Sequence, residues 1–114
     1  MIAVIFEVEP RASGTDEYFD IASQLKEDLV TIDGFISVER FQSLVSPNKF
    51  LSLSFWRDEQ AVKRWRTQVS HRVAQEKGRT ELFSQYRLRV ADVIRDYGLN
   101  QREQLPADNL DLHN

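Results

Sequence analysis

Two segments of this chain repeat their apolar residues at helical spacing, and each is bracketed by segments that alternate every second residue. That order constrains the fold more than any single motif. Ile2, Val4, Phe6 and Val8 share one side of a period-two pattern and Ala3, Ile5, Glu7 and Glu9 take the other, which predicts a strand ended by Pro10. The stretch RASGT reads as a turn, with Thr15 a helix N-cap and Asp16 and Glu17 in the first turn, where the helix dipole favours acids. Tyr18, Ile21, Ala22, Leu25 and Leu29 then recur as a helical stripe, and Asp33-Gly34 closes the helix with glycine at the left-handed cap. The stretch FISVERFQ is a second strand, Ser46-Pro47-Asn48 a turn, and KFLSLSFW a third strand paired as a hairpin.

A second helix follows, capped by Asp58, with Ala61, Val62, Trp65 and Val69 on one stripe. The β-branched residues of TQVS and the good N-cap Ser70 predict a break at residues 67–70, with a separate short helix beyond it ending at Gly78. The last element begins near Phe83 and sets Tyr86, Leu88 and Val90 against Arg87, Arg89 and Ala91. It is long for a strand, and a long final strand projecting beyond its sheet would present unpaired groups to a partner. The polar stretch from residue 98 to 114 reads as a tail or an arm laid across a neighbour.

The resulting βαββαβ order is the ferredoxin-like α+β pattern, an antiparallel sheet with two helices on one face. A sheet with one wet face alternates cleanly. These strands do not: Ile36 and Val38 oppose Phe35 and Phe41, and Leu51, Leu53 and Phe55 oppose Phe50 and Trp56. Both sheet faces therefore call for cover, and one copy has helices for only one. The expectation is a homodimer of face-to-face sheets, a dimeric α+β barrel.

Composition excludes several classes. With 114 residues, 41% of them hydrophobic and 12 aromatic, the chain suits one domain with a real core and is not globally disordered. Its net charge of -3 is interspersed, so no nucleic-acid surface and no membrane anchor is expected. The start MIAVIFEVEP carries Glu7 and Glu9 and no basic region, so it reads as a strand and not a signal peptide. The absence of cysteine excludes disulfides, thiolate metal sites and a Cys nucleophile, and fits a cytoplasmic location. There is no HExxH, phosphate loop or GxGxxG, and His113 has no clustered partner, so no metal is expected.

The element order, the strand ending FW, the spacing from Trp56 to Trp65 and the run SHRVAQEKGRTELFSQYRLRVADV resemble the antibiotic-biosynthesis monooxygenase-type domain. The resemblance covers about residues 1–97 and leaves 98–114 as the tail. It implies a dimeric α+β barrel and admits three functions: a monooxygenase working without a cofactor on a small aromatic or quinol-like molecule, a haem-binding or haem-degrading protein, or a non-catalytic ligand-binding or structural dimer. Cofactor-free oxygenation asks for an apolar cavity, a base that forms an electron-rich substrate anion, and donors that stabilise it. His71, Tyr86 and Arg72 are candidate catalytic groups, and Trp56, Trp65, Phe83 and Arg87 candidate substrate contacts. Each has a plainer reading, the tryptophans as core anchors and His71 as a solvated imidazole. Glu7 and Glu9 read as strand-edge acids and not as buried bases. In haem-degrading relatives the axial histidine lies about ten residues beyond the tryptophan that resembles Trp65, where this chain has Gln75. Their first strand also carries an Asn that is absent here.

Overall fold

A computed structural model of the chain describes residues 1–12, 15–76 and 83–106, with only the backbone described for residue 15 and residues 69–76. Its elements run β1 (Ile2–Pro10), α1 (Thr15–Leu29), β2 (Phe35–Gln42), β3 (Phe50–Trp56), α2 (Glu59–Glu76) and β4 (Phe83–Asp92). The four strands form one antiparallel sheet in the order β2-β3-β1-β4. This is the ferredoxin-like arrangement the element order predicts.

Register shows which residues face the helices. Val4 stands opposite Ser54 on one side and Val90 on the other, and Phe6 stands between Ser52 and Leu88. Two irregularities alter simple alternation. The register of β2 shifts between Phe35 and Ser37, so Phe35 and Val38, three residues apart, both pack on the core. A second shift at Glu9/Pro10 pairs Pro10 with Phe83, where the Ser84 hydroxyl donates to the Glu9 carbonyl at 2.9 Å. It places Phe83 beside Phe6, with ring centroids 6.0 Å apart. Bulges of this kind re-aim side chains at sheet edges.

The core joins Val4, Leu29, Ile32, Trp56, Ala61 and Val62. Trp56 is wholly buried; its indole N–H donates to Ser54 Oγ at 2.9 Å, and its ring lies 5.4 Å from Trp65 and 5.2 Å from Phe35. Buried indoles need such a partner, and Ser54, a buried polar residue in β3, supplies it.

Three details depart from expectation. Helix α1 ends at Leu29, four residues before Asp33, and turn bonds from the Thr31 and Ile32 amides to Asp28 and Leu29 carry the chain to Gly34. Gly34 does take the left-handed conformation, with φ of 95°. Helix α2 runs unbroken through residues 67–70. The Thr67 hydroxyl donates to the Lys63 carbonyl at 3.1 Å, so this β-branched residue satisfies its polar atom inside the helix, and its propensity cost is only a few tenths of a kcal/mol. Strand β4 pairs with β1 along its length from Phe83 to Asp92, so it does not project beyond the sheet; its unpaired groups lie along one edge. The Asp58 cap forms as predicted, with the Ala61 amide donating to its carboxylate at 2.9 Å. No helix among the described residues is long and apolar enough to cross a membrane.

Candidate active site

A cavity of about 320 Å³ lies between the helix-facing side of the sheet and the two helices. Sheet residues Phe6, Val38, Ser52, Leu88 and Val90 form its floor, and Ile21, Ala22, Leu25 and Leu29 from α1 with Val62 and Trp65 from α2 form its roof. It opens past the edge strand, where Tyr86, Leu88 and Val90 remain 52%, 45% and 44% exposed. One end is aromatic: Phe6, Phe83, Tyr86 and Tyr18 pack with ring centroids 5.8 to 6.0 Å apart.

The candidate residues divide. Trp65, Phe83 and Tyr86 line the cavity. Trp56 sits beneath it, wholly buried against Trp65. Arg87 alternates to the other side of β4, where with Glu7, Glu9 and Lys49 it lines an open polar depression of about 810 Å³. Glu7 on that side is held by Lys49 at 3.8 Å and Arg89 at 3.3 Å. The backbone of His71 and Arg72 belongs to α2, and their side chains lie outside the described residues, as does the His113 position.

Beside Lys26, Arg66 and Tyr86 on its lining, four polar groups of the cavity bear on its chemistry. The Trp65 indole N–H is buried and finds no acceptor among the described residues. An unpaired buried donor is costly, on the order of 1–3 kcal/mol, and such groups call for an explanation in function or binding. Burial pushes the Tyr18 phenol above its usual range, with the nearby Arg40 charge partly opposing, so at neutral pH this hydroxyl is a proton donor and not a phenolate. Arg40 and Ser52, opposed in the register of β2 and β3, complete the set.

Arg40 and Tyr18 were not among the residues singled out from sequence. Tyr18 reads as one more member of an apolar stripe, and Arg40 is one of two charges in the strand FISVERFQ. The signal that would have found them is the pairing of Arg40 with the small Ser52 across the hairpin, and it needs the register.

Residues 1–77 match the family model described as antibiotic biosynthesis monooxygenase. The chain belongs to the antibiotic biosynthesis monooxygenase family. Among curated relatives it is 48% identical over 101 residues, 89% of its length, to a protein of Pyricularia oryzae named jasmonate monooxygenase ABM. The match takes in 47% of that relative, so the chain spans about half its length. Among solved structures, Rv0793 of Mycobacterium tuberculosis superposes with a TM-score of 0.74 at 15% identity, covering 85% of this chain and 98% of the other. MhuD, crystallised with two manganese protoporphyrin IX molecules per active site, gives 0.68 at 13% identity over 86% of this chain and 99% of its own. At such identities these structures show a shared fold. Family membership and fold thus rest on sequence and architecture together, while chemistry has to be argued from the cavity.

Proposed function

We propose that this chain is a monooxygenase that oxidises a small, largely apolar molecule held in the cavity between helices and sheet, without a cofactor. The observation that carries this reading is the cavity itself, apolar-walled, open at one edge, and holding the buried Trp65 N–H, which has no acceptor among the described residues. Its volume is at the small end of ligand pockets, which run from about 300 to 1,000 Å³, and that favours a compact substrate over a porphyrin. The P. oryzae relative, named for a small-molecule monooxygenase reaction, supports the same class.

The chemistry needs little from the protein. Loss of a proton from an acidic carbon gives an electron-rich anion. That carbon joins dioxygen to give a hydroperoxide, which sheds water and leaves a ketone, so a CH2 group and O2 become C=O and H2O. The substrate supplies the electrons. The protein's tasks are to accept the proton, to exclude water, and to hold the anion's oxygen with preorganised donors. Trp65 and Tyr18 are suited donors, and Phe6, Phe83 and Tyr86 form an aromatic wall for a flat ring. His71 remains the proposed proton acceptor and Arg72 a proposed donor; on the unbroken α2, position 72 lies seven residues beyond Trp65 and shares its helix face, while position 71 lies about 240° round the axis from Trp65.

We also propose that the working unit is a homodimer. The sheet side away from the helices carries Ile5, Leu51, Leu53, Phe55 and Phe41, all left partly or well exposed by the single chain. A second copy would cover them. Sedimentation tests this, and a monomer at micromolar concentration would sink it.

Oxygen uptake with a panel of hydroquinones and enolisable ketones, with no flavin or metal added, tests the enzyme. Uptake lost in His71→Ala and reduced in Trp65→Phe is expected. A folded protein that consumes no oxygen across the panel refutes the proposal.

A further inference from the structure

The cavity's charge is one-sided. Lys26, Arg40 and Arg66 line it, and no Asp or Glu among the described residues does. This is unexpected in a chain with net charge -3. Alternation in β2 sorts the signs: Arg40 lies opposite Ser52 toward the helices, and its neighbour Glu39 lies opposite Leu53 on the other face. Among the described residues none of the three cations has an ion pair, and Arg40 donates no hydrogen bond.

Arg40 is half-buried, and its guanidinium carbon lies 5.9 Å from the centre of the Phe19 ring. A cation–π contact uses the face of the guanidinium and leaves its in-plane N–H donors free. A half-buried arginine without a carboxylate partner is incomplete.

The floor also has a direction. Register aligns Arg40, Ser52, Phe6 and Leu88 as one row across β2, β3, β1 and β4. The row passes from a cation, over a small hydroxyl residue that leaves room above it, to an aromatic and then an aliphatic side chain. It crosses three strand gaps, roughly 14 Å at about 4.8 Å each. A molecule lying along it would meet charge at one end and hydrocarbon at the other.

We infer that the substrate of this cavity is an amphipathic organic carboxylate, its carboxylate held by Arg40 at the β2 end and its apolar body lying over Phe6 and Leu88 toward the open β4 edge. The planar fork of arginine matches a carboxylate with two parallel hydrogen bonds, which a single-oxygen phenolate cannot accept. Lys26 and Arg66, from the two helices over the same cavity, add attraction for the anion as it enters. The aromatic end near Tyr86 is then where the oxidised carbon sits, away from the carboxylate. The inference rests on the cavity being the substrate site, as proposed above, but not on turnover.

The test is isothermal titration of the full chain, under nitrogen, with 2-naphthylacetate and with 2-naphthaleneethanol, which share a ring system and differ in the charged end. Wild type should bind the acid at least ~10-fold more tightly than the alcohol, as a charged hydrogen-bonded pair implies. Arg40→Met should weaken the acid by ~10- to 100-fold and leave the alcohol within about 3-fold. Should Arg40→Met fail to fold, Arg40→Lys, which keeps the charge and loses the fork, should weaken the acid by about 5-fold or more. Equal affinity for the two probes, binding of neither, or a preference for the acid that survives these substitutions overturns the inference. Acid binding without oxygen uptake on the substrate panel would refute only the enzyme, and uptake without acid preference would refute only this assignment.

Discussion

Gly34→Ala should be among the most damaging single-methyl changes in this chain. Gly34 sits at φ 95°, in the left-handed region that costs an L-residue roughly 1–2 kcal/mol. A Cβ added there would come within 2.7 Å of the Ala61 Cβ, a distance real side chains do not tolerate. Ala61 is wholly buried at the start of α2, so it has nowhere to go. The Arg57 guanidinium, 3.4 Å away, is the end of a flexible side chain and can shift. Overpacking of this sort costs about 1–3 kcal/mol, so the sum is about 2–5 kcal/mol, a large part of the roughly 5–15 kcal/mol that stabilises a domain. Urea unfolding followed by circular dichroism measures it, with the m-value unchanged. The two terms separate in a cycle. Ala61→Gly alone should cost up to about 1 kcal/mol in helix propensity, yet in the Gly34→Ala background it should recover about 1–3 kcal/mol by removing the clashing methyl. A loss below about 0.5 kcal/mol for Gly34→Ala, or strict additivity in the cycle, would refute the reasoning.

Other outcomes follow from the same packing. Trp56→Phe should lose about 1–3 kcal/mol in urea unfolding, because it empties volume beneath Trp65 and leaves the buried Ser54 hydroxyl without its donor; restoring the balance with Ser54→Ala should recover part of it. Asp33 and Asp58 both have carboxyl groups held below their usual range, Asp33 chiefly by its hydrogen bond from Arg57 and Asp58 chiefly by the Ala61 amide. A depressed carboxylate pKa stabilises the fold above the unfolded value near 3.9 and is lost as pH falls through the folded one. Their contribution to Tm should thus be flat from about pH 5 upward and fall away below about pH 4; Asp33→Asn and Asp58→Asn should each flatten that acid slope. Haem added to the protein should give no Soret shift that His71→Ala abolishes, since Gln75 holds the position that the haem-degrading pattern gives to histidine; such a shift would restore the haem reading.

The sequence determined the element order, the helical stripes, the Asp58 cap, the Gly34 conformation and the family, because each is written in local spacing or residue chemistry. Alternation named Tyr86, Leu88 and Val90 as one side of β4, and pairing with β1 agrees. It could not foresee that Phe83 joins that side or that Phe35 and Val38 share one, since both depend on bulges set by strand pairing and not by residue type. Propensity suggested a break at residues 67–70, but a local preference of a few tenths of a kcal/mol yields to the hydrogen bonds of a continuous helix. Tertiary structure alone decided the site. It buried Trp56, left the Trp65 N–H without an acceptor among the described residues, and turned Arg87 away from the cavity. It also drew Arg40 from one strand and Tyr18 from a helix to one wall. Those residues are far apart in the chain and become neighbours only when the sheet fixes its register and the helices close over it. That is why a sequence can state what kind of fold it builds while its cavity, with the charges that face inward, has to be read from the folded chain.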